Sequence, residues 1–299
     1  MTDYNGASDW PPGTAPVAVV MISLNEAHNM EAVLQNLAGW AQQVFLVDSC
    51  SADDTVSIAL QHGVKVVQRR FKGFGDQWNF VVNDLPITAL WTMKLDPDER
   101  LTDELKREIE LVTKIDTICA YRLPLHLYFM GAKLPSVLKQ TRLWRTGSVR
   151  FSDVKVNEHV HCDGSEGELS GEIMHLDSPD LDHWFTKQNR YTTAEAISQF
   201  EGRALALPPR LFGSALERRM WFKRHFWKVP GRYVILFLYH LVLVGAWRAG
   251  RVGWIWARLR TEVYRMWEYK RFEMDRLGHV PVKIPANRGE PDLRVQQAD

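Results

Sequence analysis

LWTMKLDPDE, residues 90–99, is the stretch that decides the fold. Its first half is an apolar run typical of a buried strand, and Pro97 ends that strand because proline lacks a backbone N–H donor. Asp96 and Asp98 are therefore expected at the carboxyl edge of a sheet, where ligands bind in open α/β folds. Two carboxylates this close suit Mg²⁺ or Mn²⁺. The alternative is a solvated acidic turn before a helix at 102–114.

The chain before this stretch alternates strands with helices. β-branched runs typical of strands buried on both faces lie at 17–22, 44–47 and 64–67. Helical segments follow them, at 27–37, 53–61 and 77–84. This order predicts a parallel sheet with crossover helices, and further strands at 120–131 and 141–145 make the sheet mixed. The predicted fold class is α/β, with a mixed, mainly parallel sheet, flanking helices and a C-terminal helical appendage.

Two common phosphate-binding patterns are absent from the sequence. No GxGxxG follows the first strand, and no Lys-Ser/Thr follows a glycine-rich loop, so dinucleotide and P-loop chemistry gain no support. A glycine-containing loop at 71–77 is predicted instead, in which Gly73 and Gly75 would let the backbone approach phosphates. Lys72 is expected to be a solvated charge beside them.

Composition sets the class and the predicted boundaries. The apolar share of 45% and charged share of 24% in 299 residues are those of a globular protein with a full core. The three cysteines form no CxxC pair, and with no apolar targeting pattern at the start they favour a reducing compartment. The predicted parts are a flexible tail at 1–16, a catalytic domain at 17–207, a helical region at 208–277 and a second tail at 278–299.

The net charge of +1 hides a strong asymmetry. Residues 201–276 hold 16 Lys and Arg against 6 Asp and Glu, a net +10, so the remainder carries −9. Six of the twelve tryptophans lie in the same segment. Basic, aromatic helices suit the headgroup region of an anionic membrane. A helical subdomain that packs on the catalytic domain or on another protomer is the alternative, and no nucleic-acid-binding motif is present.

An apolar run at 233–247 is too short to cross a bilayer. A spanning helix needs about 20 apolar residues, and this run has Arg232 and Arg248 at its ends. The run therefore predicts peripheral or monotopic contact with a membrane, or burial within the protein, rather than a transmembrane helix.

Four ordered motifs resemble those of a known family. SLNE at 23–26, VDSCSADDT at 47–55, GFGDQWN at 73–79 and LDPDE at 95–99 stand in the order seen in family 2 glycosyltransferases of GT-A fold. The chain looks most like the bacterial branch related to the lipopolysaccharide-core β-1,4-glucosyltransferases. The resemblance covers roughly residues 17–200 and, more loosely, 205–275. Close relatives more often carry Ala where this chain has Pro97.

The resemblance implies a nucleotide-sugar site at Ser23, Asn25, Glu26, Asp48, Gly73, Gly75, Gln77 and Asp96. Asp48 would bind the base or ribose, since a carboxylate accepts hydrogen bonds from a uracil edge or a sugar diol. Capping of the following helix is the alternative for Asn25 and Glu26. Asp98 would coordinate the metal. The family often carries a C-terminal histidine that completes the coordination, which implies His175; a structural histidine is the alternative.

The implied catalytic base is Glu158, which stands among apolar residues in a strand-like segment. Inverting transfer needs one carboxylate to take the acceptor hydroxyl's proton. Asn157 precedes it where relatives usually show His, and an edge-strand glutamate facing water is the alternative. His159 and His161 lack a third spaced ligand, so no zinc site is predicted. The acceptor or diphosphate region is expected near Arg142, Arg190 and Tyr191.

These features together predict an inverting, metal-dependent glycosyltransferase. It would move a hexose from a nucleotide sugar, with UDP-glucose the favoured donor, to a lipid-linked saccharide such as a lipopolysaccharide core. It would act at the cytoplasmic face of the bacterial inner membrane, and its oligomeric state is left open. The alternatives are a polyprenyl-phosphate or other cell-envelope glycosyltransferase, a nucleotidyltransferase, and a non-catalytic nucleotide-binding membrane scaffold.

Overall fold

A computed structural model gives the fold of the chain. It describes residues 9–115, 117–151, 160–201, 212, 221 and 225–281. The chain forms two compact units. The first comprises the described residues up to His126 together with Val137–Leu176, and the second comprises Leu127–Ser136 together with the described residues from Asp177 to 281.

The first unit is built on a sheet in which the early strands run parallel. The strand order is β3-β2-β1-β4-β7-β6-β11-β5, with β10 also paired to β6, and β8 and β9 form a separate two-stranded sheet. The strands are β1 Ala15–Ser23, β2 Ala41–Asp48, β3 Lys65–Gln68, β4 Trp91–Lys94, β5 Glu99–Leu101, β6 Ala120–Phe129, β7 Ala132–Arg145, β8 Val149–Phe151, β9 Val160–Cys162, β10 Glu166–Glu168 and β11 Ile173–Leu176.

Four helices flank this sheet: α1 Ala27–Leu37, α2 Thr55–Gln61, α3 Phe74–Asp84 and α4 Asp103–Val112. Residues 17–21 of β1 are fully buried because apolar clusters cover both faces of the sheet. One cluster includes Leu34 of α1 and Ile109 of α4, and the other includes Trp78 of α3. The predicted α/β class with a mixed, mainly parallel sheet is therefore confirmed.

The second unit is helical. It contains α5 Leu181–Phe200, a 3₁₀ turn Phe226–Lys228, α6 Arg232–Leu238, a π-helical turn Tyr239–Leu243, a second 3₁₀ turn Ala246–Ala249 and the 28-residue α7 Gly250–Leu277. Phe129 and Leu134, at the tip of the β6–β7 connection, pack with Trp184 and Trp256 of this unit. The described residues of the basic, aromatic C-terminal part are mostly helical, as predicted.

No single helix in the described part of the chain is long and apolar enough to cross a bilayer. One bent pair, Arg232–Leu243 with Ala246–Leu277, meets the criteria of length and composition together, with a bend of 68° at the break.

The predicted start of one helix is wrong. α3 begins at Phe74 rather than at residue 77, so the expected loop is shorter and Gly75 lies in the first helical turn. α5 begins at Leu181, with Asp180 as the N-cap whose side chain accepts a hydrogen bond from the His183 N–H at 2.8 Å. The Ser178 hydroxyl donates to the Asp177 carbonyl and does not cap the helix.

Two of the three cysteines are paired. The structure joins Cys119 and Cys162 in a disulfide and leaves Cys50 free, and the reducing compartment stays a prediction. The two cysteines are 43 residues apart in sequence, but the β-rich segment after α4 brings them together. Sequence spacing alone contains no information about this pairing.

Candidate functional site

The carboxyl ends of β1, β2 and β4 meet at one edge of the sheet. Ser23 and Asp48 are register partners at the ends of the parallel strands β1 and β2. Lys94 of β4 is the register partner of Val20 in β1, so Asp96 follows at the same edge. Because all three strands run in the same direction, the polar residues after them converge here, as expected for an α/β ligand site.

Asp48 is fully buried and its carboxylate organises the loop after β2. One oxygen accepts hydrogen bonds from the hydroxyls of Ser23, at 2.9 Å, and Ser51. The other accepts from the Ser51 N–H at 2.8 Å and from the Gln68 amide at 3.0 Å. Four donors in the chain therefore satisfy this carboxylate, which burial requires. Contact of Asp48 with a base or ribose remains a prediction.

The loops after β1 and β2 are held together by reciprocal hydrogen bonds. The Asn25 N–H donates to the Ser51 hydroxyl and the Asn25 side-chain oxygen accepts from the Ala52 N–H, both at 2.8 Å. Asn25 adopts a φ of 59°, a left-handed conformation that asparagine tolerates better than most residues. Its side chain therefore positions the second loop, and a role in facing a nucleotide stays a prediction.

The cap of α1 comes from the neighbouring loop rather than from its own sequence. Glu26 occupies the N-cap position but makes no side-chain capping bond. The Ala27 N–H donates to Asp53 at 3.1 Å, and the Glu26 N–H donates to the Thr55 hydroxyl at 2.8 Å. Asp53 and Thr55 were part of the motif at 47–55, but the sequence contained no signal that they bond to the start of a helix 26 to 29 residues earlier.

We expect Asp53→Ala to lower the free energy of unfolding by about 1 kcal/mol, because it removes the carboxylate that accepts from Ala27 and Thr55. The adjacent Asp54 makes no side-chain capping bond to α2, so Asp54→Ala is a matched control with a much smaller expected effect. Urea denaturation of both variants measures the difference. Equal losses in the two variants would contradict the interlocked-loop arrangement.

The loop before α3 is fixed by Gln77 and Arg69. Gln77 is fully buried; its amide donates to the Ser49 hydroxyl at 3.2 Å and its oxygen accepts from Arg69. Arg69 also pairs with Asp76 at 2.8 Å. Gly73 and Gly75 are both buried beside this network, and Lys72 is exposed. Gln77 thus connects α3 to the loop after β2. The predicted contact of its side chain with a nucleotide remains a prediction.

Residues 96–99 form a turn whose third acid is buried. Glu99 is 1% exposed and begins β5, so the solvated acidic turn considered as an alternative is wrong for this residue. Arg142 of β7 donates to Glu99 at 2.8 Å and to Asp96 at 3.3 Å. Glu99 also accepts from the Asp96 N–H at 2.9 Å. Glu99 therefore holds the backbone of Asp96, and Arg142 holds its side chain.

Arg142 lies buried beside these acids, and its predicted role in an acceptor or diphosphate region stays a prediction. It is 3% exposed, and its guanidinium is directed at the acids because a buried glutamate needs a counter-charge. Burial raises the pKa of Glu99 to about 7, with Arg142 opposing the shift. Burial lowers the pKa of Arg142, but the nearby charges of Glu99 and Asp96 outweigh it and leave the pKa above its ordinary value.

Asp98 and His175 meet at the end of the sheet. β11 pairs antiparallel with β5, which brings the His175 Nε2 to 3.2 Å from a carboxylate oxygen of Asp98. His175 lies within a strand rather than after one, and both side chains are partly exposed. The Asp98 carboxylate suits both Mn²⁺ and Mg²⁺, whereas the His175 imidazole suits Mn²⁺ better than Mg²⁺. The described residues contain no group of three or more His, Cys, Asp or Glu that could hold a metal ion.

Two ligand atoms, one from Asp98 and one from His175, are nevertheless enough for a metal ion that also binds the diphosphate of a substrate. Mg²⁺ is commonly held by one or two carboxylates, with substrate phosphates and waters filling the other positions. The Asp98–His175 pair fits such a shared site and does not fit a cage built from protein atoms alone. Asp98 and His175, with Asp96 close by in sequence, are the residues that would hold this metal and the donor sugar.

The remaining predicted residues fall elsewhere. Glu158 lies outside the described residues, as do Asn157 and His159. Arg190 and Tyr191 lie on α5 in the second unit, where both are exposed. Lys187, on the same helix, pairs at 3.1 Å with Asp177, which precedes the helix. Their roles remain predictions.

The chain matches a known family over this sheet edge. Residues 18–121 match the model described as Glycosyl transferase family 2, a segment that contains β1 to β4 and the turn at 96–99. The chain therefore carries a family 2 glycosyltransferase region and is an enzyme of the glycosyltransferase class, as its motifs predicted.

Curated relatives and solved structures bear glycosyltransferase names. An uncharacterized glycosyltransferase of Rickettsia felis is 28% identical over 200 residues, which cover 60% of this chain and 69% of the relative. LpsC of Rhizobium meliloti, a lipopolysaccharide core biosynthesis glycosyltransferase, is 25% identical over 233 residues, covering 71% and 83%. The mannosyltransferase PcManGT from Pyrobaculum calidifontis, solved with GDP-Man and Mn²⁺, is 15% identical with a TM-score of 0.48, covering 91% and 90%.

Proposed function

We propose that this protein is an inverting, metal-dependent glycosyltransferase that moves a hexose from a nucleotide sugar to a lipid-linked saccharide. The observation that carries the proposal is the pairing of Asp98 with His175 in the turn after β4, a strand that runs parallel to β1 and ends at the same edge as β1 and β2. A nucleotide diphosphate at this edge would meet two suitable metal ligands. UDP-glucose is the first donor to test.

The divalent metal, Mg²⁺ or Mn²⁺, would be held by Asp98 and His175 and would neutralise charge on the departing diphosphate. The chain's own contribution is orientation. Asp96, fixed by Arg142 and by Glu99, is available to hold a hydroxyl of the donor sugar or ribose through its exposed oxygen. The interlocked loops at 23–26 and 48–55 would bind the nucleoside beside it.

Glu158 is the proposed base, by the resemblance of its segment to the one that carries the base in the family. In an inverting transfer the acceptor oxygen attacks the anomeric carbon as the bond to the diphosphate breaks. The acceptor hydroxyl's proton passes to a carboxylate on the opposite face of the sugar. Glu158 would take that proton.

We expect Glu158→Gln to lower turnover by at least about 100-fold while donor binding is retained, because the amide keeps the shape but cannot accept the proton. Mass spectrometry of the glycosylated product and calorimetry of donor binding measure the two effects. Asp153→Asn is the matched control and should retain turnover. Near-normal turnover in Glu158→Gln, with loss in Asp153→Asn, would assign the base to Asp153.

The acceptor is proposed to be a lipid-borne saccharide at the cytoplasmic face of the inner membrane. The net charge of +10 in residues 201–276 supports attraction to anionic lipid. The similarity to LpsC, a lipopolysaccharide core biosynthesis glycosyltransferase, favours a lipopolysaccharide core over a polyprenyl phosphate acceptor. Mass spectrometry of the glycolipid that accumulates in cells lacking the protein distinguishes these acceptors by the sugar that is missing.

A further inference from the structure

The apolar segment of the second unit is a broken helix. α6 passes at Leu238 into a π-helical turn that ends at Leu243, and Gly245 then adopts a φ of 84°. Only a residue without a side chain adopts this conformation at little cost. The following helical segment runs at 68° to the first. The segment 232–247, which we call the apolar arm, is therefore a short rod followed by a sharp bend.

One side of the apolar arm packs against its own unit. Phe237, Leu241 and Val244 join a cluster with Trp256 and Ala257 of α7. This packing uses the residues whose spacing of three and four places them on one face of a helix.

The other side of the apolar arm is exposed and almost wholly apolar. Seven large side chains there are between 48% and 79% exposed: Val234, Ile235, Leu238, Tyr239, Val242, Leu243 and Trp247. Leu243, next to the bend, is the most exposed of them at 79%. Contiguous exposed apolar surface of this kind marks a contact with another protein or with a membrane.

The base of the apolar arm is tied to α7 by a polar cluster. Arg232 and Tyr233 both bond to the carboxylate of Glu268. The guanidinium of Arg265 lies over the Tyr233 ring, 4.6 Å from its centroid. The exposed side chains are thus presented by a fixed rod, so no ordering of the segment is needed before it binds.

The charges along the apolar arm and the start of α7 are positive, and the one acid already described at the base of the arm, Glu268, pairs with Arg232. Residues 232–261 contain five arginines and no Asp or Glu: Arg232, Arg248, Arg251, Arg258 and Arg260. Arg248 lies over Trp247 at 5.5 Å from the ring centroid, and Arg258 lies over Trp254 at 5.8 Å. Arginine and tryptophan side by side are typical of the headgroup layer of a bilayer. An identical basic surface on a second copy of the chain would repel this one.

The length of the apolar arm fits one leaflet. Twelve residues from Arg232 to Leu243 span about 18 Å at the helical rise of about 1.5 Å per residue. The hydrocarbon core of a bilayer is about 30 Å thick, so the rod reaches about halfway. The bend and Arg248 then return the chain to the headgroups.

We propose that the apolar arm inserts into one leaflet of an anionic membrane, with Leu238, Val242 and Leu243 in the acyl region and the arginines at the phosphates. The inference deepens the proposed membrane-face location and rests on it, but it does not depend on the chemistry of the transfer. It assigns the partner of this surface as lipid rather than a second copy of the chain.

Flotation of the full chain with vesicles of phosphatidylglycerol and phosphatidylcholine tests the proposal. We expect wild-type protein to bind these vesicles and to retain part of the binding in 1 M NaCl, about the concentration at which charge attraction is screened within 3 Å. Leu243→Asp should weaken vesicle binding by at least about 10-fold, since it removes an exposed leucine that the bilayer would bury and adds a charge in its place. Leu111→Asp, at a leucine 66% exposed in the first unit, is the matched control and should bind like wild type.

Analytical ultracentrifugation without lipid separates the alternatives. We expect Leu243→Asp to leave the sedimentation of the protein unchanged. The proposal is overturned by three results together: wild-type protein self-associates, Leu243→Asp abolishes that association, and neither protein binds vesicles. The surface would then be an interface between copies of the chain. Absence of vesicle binding by a wild type that still binds UDP-glucose with Mn²⁺ would overturn the insertion while leaving the transferase assignment intact.

Discussion

We expect Arg142→Met to lower the free energy of unfolding by about 3–5 kcal/mol, because it leaves the buried carboxylate of Glu99 without its counter-charge. Glu99 is 1% exposed and accepts from Arg142 at 2.8 Å, so water cannot replace the guanidinium without opening the site. Methionine keeps most of the apolar length of the side chain. Chemical denaturation in EDTA measures the loss without a contribution from bound metal.

The loss in Arg142→Met should grow as the pH rises above about 7. Burial raises the pKa of Glu99 in the folded protein to about 7, above its ordinary 4.5. Between about pH 4.5 and pH 7 the unfolded chain therefore loses this proton before the folded protein does, so the stability that the protonated carboxyl contributes is lost as the pH rises through this range. Removing Arg142 raises the pKa of Glu99 further. Above about pH 7, Glu99 of the wild type therefore ionises beside Arg142, whereas Glu99 of the variant must either stay protonated or become a buried charge without a partner. Below pH 7 the carboxyl is protonated in both, and the difference is smallest.

Two further variants test whether charge pairing is the cause. Arg142→Met combined with Glu99→Gln should recover most of the stability, since a neutral pair leaves no buried charge. Lys139 pairs with Glu168 at 2.6 Å, but both side chains are half exposed, so Lys139→Met should cost at most about 1 kcal/mol. A loss in Arg142→Met no larger than that in Lys139→Met would contradict the buried pair.

The second large effect is expected at Asp98. Asp98→Asn should weaken Mn²⁺-dependent binding of UDP-glucose by at least about 100-fold, because it removes the only proposed carboxylate ligand, whereas loss of an outer partner already costs 10- to 100-fold. Asparagine retains the shape and can still hydrogen-bond to His175, so the fold should persist. Calorimetric titration of donor in the presence of Mn²⁺ measures the effect.

Asp103→Asn is the matched control for this substitution. Asp103 is an exposed acid in the first turn of α4, five residues away in sequence, and makes no part of the proposed site. Its variant should bind donor like wild type. His175→Gln should give a smaller loss than Asp98→Asn, since a neutral ligand contributes less to holding a divalent cation. Unchanged donor affinity in Asp98→Asn would exclude Asp98 as a ligand.

The sheet and its ligand edge could be predicted from sequence because they depend on local patterns. Continuous β-branched runs marked β1 and β2, and Asp-Pro-Asp marked the end of β4. α1 was predicted with both ends correct, at Ala27 and Leu37. These features could be predicted because the hydrophobic periodicity and the turn-forming residues that determine them lie close together in the sequence.

The contacts within the site depended on residues far apart in the chain. Glu99 and Arg142 are 43 residues apart, and Asp98 and His175 are 77 apart, so no local pattern shows which acid is buried and which remains accessible. A family resemblance supplied His175, while nothing indicated that Arg142 would be the counter-charge of Glu99. The same holds for Cys119 and Cys162, and for Asp53 as the cap of α1.

The most direct test of the proposed function is calorimetric titration of the purified wild-type protein with UDP-glucose, with Mn²⁺ and then with EDTA. The assignment of Asp98 and His175 to a metal shared with the donor diphosphate predicts saturable binding of UDP-glucose and of UDP in Mn²⁺, lost in EDTA and restored by added metal. Binding of equal affinity in EDTA would contradict the metal site. Absence of binding to UDP-glucose and to every other nucleotide sugar in Mn²⁺ would contradict the transferase itself.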